Sequence, residues 1–329
     1  MPEKIIEQLG FQFDKAFDVK GRLSVSDLFH RSIPRCGIYL LGFSDNTFYI
    51  GQAIDVVRRF AQHRKNYENI EKLWFQPFKK ETLNEVEQQL IHEAEKYGLL
   101  LTNRIFVSNI FGDTDLDLII SQSEQREWLE NNKEISNNGY DIYQTIEFKY
   151  VIRYRNNFEK LKTVAEYQRL KRILNLYITR CLPAFKKTEL SFWSLSCLPA
   201  TNKNTYPRYF CLNVNAMEVF VMGFEARTKT PFVFIILTSL FFGDDDELDR
   251  LYKKFKTLDV EISKYRAAGS DQIRFSFSDF REFEEMLLTE PNVVKSIKEL
   301  NLRLMRKGGT IYSPFHCFDL AKDVLTNLA

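Results

Sequence analysis

The chain has 329 residues, 44% hydrophobic and 27% charged, which suits a globular protein with a sizeable core and roughly two domains. Five cysteines, an odd number with no close pair, exclude a disulfide framework and fit a reducing cytoplasm. A formal charge of +2 neither argues for nor excludes a nucleic-acid enzyme, so the distribution of charge carries the argument.

The first fifteen residues, MPEKIIEQLGFQFDK, carry early acids and no apolar core, so no signal peptide is expected. A β-hairpin is predicted next: a strand over Arg35–Leu41, a turn over Gly42–Asn46, and a strand over Thr47–Gly51. Whether Tyr39 and Tyr49 share a face depends on the pairing register, which a bulge would shift. Asp55 is a plausible N-cap for a helix running through His63. On that helix Arg59 and His63 are four apart and stack on one face, while Val57 and Phe60 point elsewhere, toward the sheet.

The helix Leu83–Tyr97 is the most informative segment. Leu83, Val86, Leu90, Ile91, Ala94 and Tyr97 form one apolar stripe at helical spacing. Glu87 falls inside that stripe, whereas Glu85, Glu93 and Glu95 fall outside it. A carboxylate on a buried face costs several kcal/mol unless it is paired, binds a metal, or snorkels to water. Periodicity alone therefore singles out Glu87.

Taken together, these segments resemble the GIY-YIG nuclease family. Gly37-Ile38-Tyr39 and Tyr49-Ile50-Gly51 are similar to the two triplets that name it. Arg59 stands ten residues after Tyr49, where the family places its catalytic arginine, and His63 stands fourteen after, where many members carry His or Tyr. Glu87 opens Glu-Gln-Gln-Leu-Ile, similar to the family's metal-binding glutamate, and Asn103 resembles the asparagine that closes the domain. The resemblance covers about residues 35–105. One position departs from it: the repair-incision branch carries a lysine after its second triplet, where this chain has Gln52.

The resemblance implies a phosphodiester hydrolase with one Mg²⁺ or Mn²⁺ on Glu87, an ion that tolerates a single protein carboxylate because it keeps several waters. Arg59 would contact the phosphate oxygens. Tyr39, Tyr49 and His63 are the candidates for activating the attacking water. A phenol with a pKa of about 10 is a poor base, so positive charge from Arg59, His63 or the metal is expected to lower it. Nucleic acid is the implied partner, with DNA favoured over RNA by family habit. One active site nicks one strand, which makes a homodimer the expectation for double-strand cutting.

Beyond the resemblance, the aspartates around Gly112–Asp117 read as a solvated loop with a helix cap. Residues 148–187 are rich in Lys and Arg, with Glu159 and Glu166 the acids among them. Arg153, Arg155, Lys162, Arg169 and Arg172, interleaved with Tyr150, Tyr154, Phe158, Tyr167 and Tyr177, suit either a phosphate backbone or a solvated linker helix. The run Phe232–Phe242 is too short to span a bilayer and reads as a buried strand. The acidic run Gly243–Glu247 reads as a helix N-terminus.

The expected architecture is α+β in three parts. A nuclease domain with extension spans residues 1–143, a basic helical connector 144–187, and an α+β specificity or regulatory domain 188–329. The expected protein is a cytoplasmic, membrane-free, metal-dependent endonuclease with a restriction or phage-defence role. The alternatives are a non-catalytic nucleic-acid binder and a ligand-gated nuclease silenced by its C-terminal domain.

Overall fold

Two apolar runs around Ser44-Asp45-Asn46 dictate a hairpin, and one forms. In the computed structural model, strand β2 (Gly37–Phe43) pairs antiparallel with β3 (Phe48–Ala53), and Asn46 takes the left-handed turn conformation at φ 61°. The structure describes residues 9, 16–30, 33–110, 112–131, 133–137, 142–144, 146–242 and 245–326. Expectations placed on residues 1–15 other than Leu9, and on Gly243 and Asp244, lie outside the described residues.

The chain divides into two compact units, Met1–Gly112 and Asp113–Ala329. In the first, β1 (Phe17–Asp18), β2, β3 and β4 (Ile70–Pro77) form an antiparallel sheet of order β1-β4-β2-β3. Side-chain alternation gives the sheet two apolar faces. Ile38, Leu40, Phe48 and Ile50 pack against Leu83, Leu90, Ile91 and Ala94 of helix α2 (Leu83–Lys96). Tyr39, Leu41 and Phe43 pack on the other face with Val56 and Phe60 of helix α1 (Val56–Asn66). Strand β3 is thus an edge between two helices, and Leu101 bridges to it at Phe48.

The second unit is also α+β. Strands β5 (Trp193–Cys197), β6 (Arg208–Val214), β7 (Met217–Phe224), β8 (Pro231–Thr238), β9 (Asp259–Ile262) and β10 (Gln272–Phe277) form an antiparallel sheet of order β5-β6-β7-β8-β10-β9. Its helices are α3 (Gln122–Glu130), α4 (Phe148–Val151), α5 (Arg155–Lys162), α6 (Tyr167–Cys181), α7 (Phe185–Thr188), α8 (Asp245–Lys254), α9 (Phe280–Thr289), α10 (Pro291–Arg306) and α11 (Phe318–Thr326). Helix α10 packs on β8 and α6 through Val293, Ile297, Leu300 and Leu304. No helix among the described residues is long and apolar enough to cross a membrane.

The expected boundaries near 143 and 187 differ from this division. Leu116, Ile120 and Trp128 of the extension, and Leu170, Leu174 and Tyr177 of the connector, belong to the second unit's core. The polar surface of these segments conceals an apolar face: the extension packs against α10, and Tyr177 of the connector stacks on Phe220 of β7. The capped loop does form: Thr114 and Asp117 make a capping box, and so do Ser121 and Glu124 at the start of α3. The apolar run from Phe232 stays a strand only to Thr238, and Leu240 is exposed.

Candidate active site

The site is built on the hairpin and the two flanking helices. The β2–β3 register is unshifted: Tyr39 faces Gly51, and Tyr49 faces Leu41. Tyr39 and Tyr49 therefore share the face toward α1, with ring centroids 6.1 Å apart and 27° between planes. Gly51 lies between them. A β-carbon there would come within 2.4 Å of the Tyr39 hydroxyl, so only glycine leaves the phenol its place. At Gly37 a β-carbon would meet the Gln76 carbonyl oxygen at 2.1 Å. The glycine of each triplet is thus a steric requirement of the sheet.

Helix α1 is capped as expected, with the Asp55 carboxylate accepting from the Val57 and Arg58 amides. The cap fixes the helix start and points Arg59 and His63, one turn apart, at the same phenol. Arg59 Nε donates to the Tyr39 hydroxyl at 3.2 Å, and His63 Nε2 lies 2.7 Å from that hydroxyl. Tyr39 and His63 are buried, and the Tyr49 ring centroid is 4.9 Å from that of His63.

The electrostatics settle the direction of these bonds. Burial, then the charge of Arg59, holds His63 down to about 4, so its imidazole is neutral at ordinary pH. In the tautomer with its proton on Nδ1, the neutral ring accepts at Nε2, and the Tyr39 hydroxyl then donates to His63 while accepting from Arg59. Burial, then neighbouring Tyr49, pushes the Tyr39 phenol above its usual value, and Arg59 opposes this without prevailing. Burial also raises Tyr49 against Arg59. Of the three expected sources of positive charge, Arg59 lowers both phenols but is outweighed by burial, and His63, held neutral, adds none; the third is the metal.

Glu87 comes from α2, on the opposite face of the sheet. It is half-buried beside the stripe of Leu83, Leu90, Ile91 and Ala94. Tyr97, expected in that stripe, is exposed at the helix end. Gln52, next to Gly51 on the edge strand, donates to Glu87 Oε2 at 2.8 Å and to Asn84 Oδ1 at 2.6 Å. The charge of Glu87 helps to raise both Tyr39 and Tyr49 across the β3 edge. Among the described residues no group of three or more His, Cys, Asp or Glu side chains converges as a metal cage. A single half-exposed carboxylate still fits Mg²⁺ or Mn²⁺, which take their remaining ligands from water and phosphate.

Asn103 does something different from the rest. Its Oδ1 accepts from the Ile50 amide at 3.0 Å, and its Nδ2 donates to the Ile50 carbonyl at 2.7 Å. The side-chain amide continues the sheet at its edge and fixes the strand that carries Tyr49 and Gly51. Sequence reasoning did not count Gln52, Asn84 or Gln62 (which accepts from Arg59 Nη1 at 3.1 Å) as site residues. Helical spacing offered a signal for Asn84 and Gln62, each three residues from a named residue.

The basic stripe is not an array of unpaired cations. Arg155 binds Asp319 at 3.1 Å, Lys162 binds Glu159 at 2.8 Å, and Arg169 lies 3.6 Å from Glu166. Arg172 pairs with Glu284, and Arg153 donates to the Pro314 carbonyl at 3.2 Å. Phe158, Tyr167 and Tyr177 are core residues, not stacking platforms. A phosphate backbone reaching these cations would compete with four carboxylates.

Residues 35–104 match the family model described as the GIY-YIG catalytic domain. No curated protein and no solved structure matches the chain. This part of the first unit is similar to a GIY-YIG catalytic domain, a likeness that supports nuclease activity in general and a nucleic acid as substrate.

Proposed function

We propose that the first unit is a divalent-metal-dependent endonuclease that hydrolyses DNA phosphodiesters through a proton relay from water to Tyr39 to His63. The observation that carries this reading is the convergence of Arg59 Nε and His63 Nε2 on one buried phenol. In hydrolysis the water oxygen attacks phosphorus, its proton passes to the Tyr39 oxygen, and the bond from phosphorus to the leaving oxygen breaks, that oxygen taking a proton from bulk water. Tyr39 gives its own proton to His63 Nε2 in the same event. A raised phenol pKa is then no obstacle, because no free tyrosinate has to accumulate.

Arg59 has N–H donors beyond those on Tyr39 and Gln62, and these suit the non-bridging phosphate oxygens. Glu87 is the proposed ligand of Mg²⁺ or Mn²⁺, with Gln52 fixing its carboxylate. The bound ion supplies neutralisation of phosphoryl charge and stabilisation of the leaving oxygen. Asn103 acts by holding the edge strand. The choice of DNA follows family habit, and a restriction or phage-defence role follows from pairing a small nuclease with a second module. Double-strand cutting by one site per chain takes two protomers or two encounters.

Single-turnover cleavage of a short labelled duplex tests the relay. Tyr39→Phe and His63→Ala should each slow cutting by about 100-fold or more, and the double variant should be no slower than Tyr39→Phe alone. Cutting by Tyr39→Phe within twofold of wild type would contradict the reading.

A further inference from the structure

The second unit contains a cleft of about 410 Å³, within the size range of small-molecule sites. Three cations border it: Arg180 at the end of α6, and Lys295 and Lys298 on successive positions of one face of α10. Lys298 is only 3% exposed, and its ammonium donates to the Trp128 carbonyl and lies 4.2 Å from the Trp128 ring centroid. Lys295 sits 4.5 Å from the Phe241 ring centroid, and Arg180 Nη1 donates to the Leu287 carbonyl at 2.6 Å. Neither Arg180 nor Lys295 forms an ion pair among the described residues.

Three like charges beside one cavity repel one another, and burial strengthens the repulsion. The effect is visible at Lys298, which burial, and then Arg180 and Lys295 against an opposing effect of Cys181, hold down to about 8. Two carboxylates, Glu130 and Glu134, also line the cleft, but both are exposed, and neither pairs with Arg180 or Lys295 among the described residues. The amino end of α10 borders the same cavity at Pro291 and Asn292, and the acid that precedes it, Glu290, is committed to Arg250 and Lys254.

We propose that this cleft binds the phosphoryl group of a small phosphorylated molecule, held by Arg180, Lys295 and Lys298. Arginine and lysine together offer a forked donor and point charges, the usual combination for phosphoryl oxygens. A cleft of this size suits a free small molecule better than a polymer backbone, which tracks along an extended groove. The proposal goes beyond the nuclease reading and does not depend on it. It gives the second unit a ligand-sensing role.

Isothermal titration of the full chain at fixed ionic strength tests it, with inorganic pyrophosphate as the first probe and AMP as the second. The expected result is saturable binding of one probe per chain, weakened at least about tenfold by Arg180→Gln and by Lys295→Gln. Both side chains are at least partly exposed, so the variants should keep the wild-type melting curve, and Lys253→Gln on α8 serves as the unaffected control. Tighter binding of AMP assigns a nucleotide, and tighter binding of pyrophosphate assigns a free polyphosphate; either supports the proposal. Heats that do not saturate, variants that bind like wild type, or displacement of the probe by a short DNA duplex would each overturn it.

Discussion

Replacing Asn103 by alanine separates a structural role from a chemical one. The side chain makes two hydrogen bonds to Ile50, whose side chain is fully buried, at 3.0 and 2.7 Å. Truncation strands one amide and one carbonyl, each at about 1–3 kcal/mol when water does not replace the lost partner. Allowing for some water entry at the sheet edge, the loss should be roughly 2–4 kcal/mol, a large share of the ~5–15 kcal/mol that holds a domain folded. Asn103→Asp should fare no better, because it keeps the acceptor for the amide but sets a negative oxygen against the Ile50 carbonyl. Urea unfolding followed by hydrogen exchange of a peptide spanning 48–53 reads the first unit without interference from the second. A loss below about 0.5 kcal/mol with unchanged protection of that peptide would refute the strand-fixing role.

Three further outcomes follow from the same geometry. Gly51→Ala should displace the Tyr39 phenol, since its β-carbon would sit 2.4 Å from the hydroxyl, and slow cleavage by about 100-fold; near-wild-type rates would mean that the phenol position is irrelevant. The imidazole of His63 should titrate by NMR with a midpoint near 4 and not near 6.5. Its cation is disfavoured in the fold, so the unfolded chain binds the proton first and the first unit loses stability as pH falls from about 6.5 through 4; a midpoint between 6 and 7 contradicts this. Gln52→Leu should remove the donor to Glu87 and weaken Mn²⁺ binding by about 10–100-fold, measured by calorimetry; unchanged affinity would remove Gln52 as the support of Glu87.

Much of the site was legible because its signals are local. The hairpin triplets, the Asp55 cap and the Arg59–His63 turn are each set within a few residues. Glu87 stood out because a carboxylate interrupts an apolar stripe, and the structure places it half-buried beside that stripe. The meeting of Tyr39 with His63 was not legible, because the register of β2 on β3 and the seat of α1 decide it. The bond between Gln52 and Glu87 joins residues 35 apart on different elements. The pairing of the basic stripe was hidden for the same reason. Its counter-charges Glu284 and Asp319 lie 112 and 164 residues from Arg172 and Arg155, and local composition carries no trace of them. The domain boundary was missed because Leu116 and Trp128 sit in polar surroundings in sequence but in the second core in space.

Cleavage should depend most directly on the proposed metal ligand, Glu87. Supercoiled plasmid should be nicked by the wild-type chain with Mg²⁺ or Mn²⁺, not with a chelator present, and not by Glu87→Gln under any of these conditions. Equal nicking by wild type and Glu87→Gln would show that Glu87 is not the ligand and that the site described around the β3 edge is not the one that cuts.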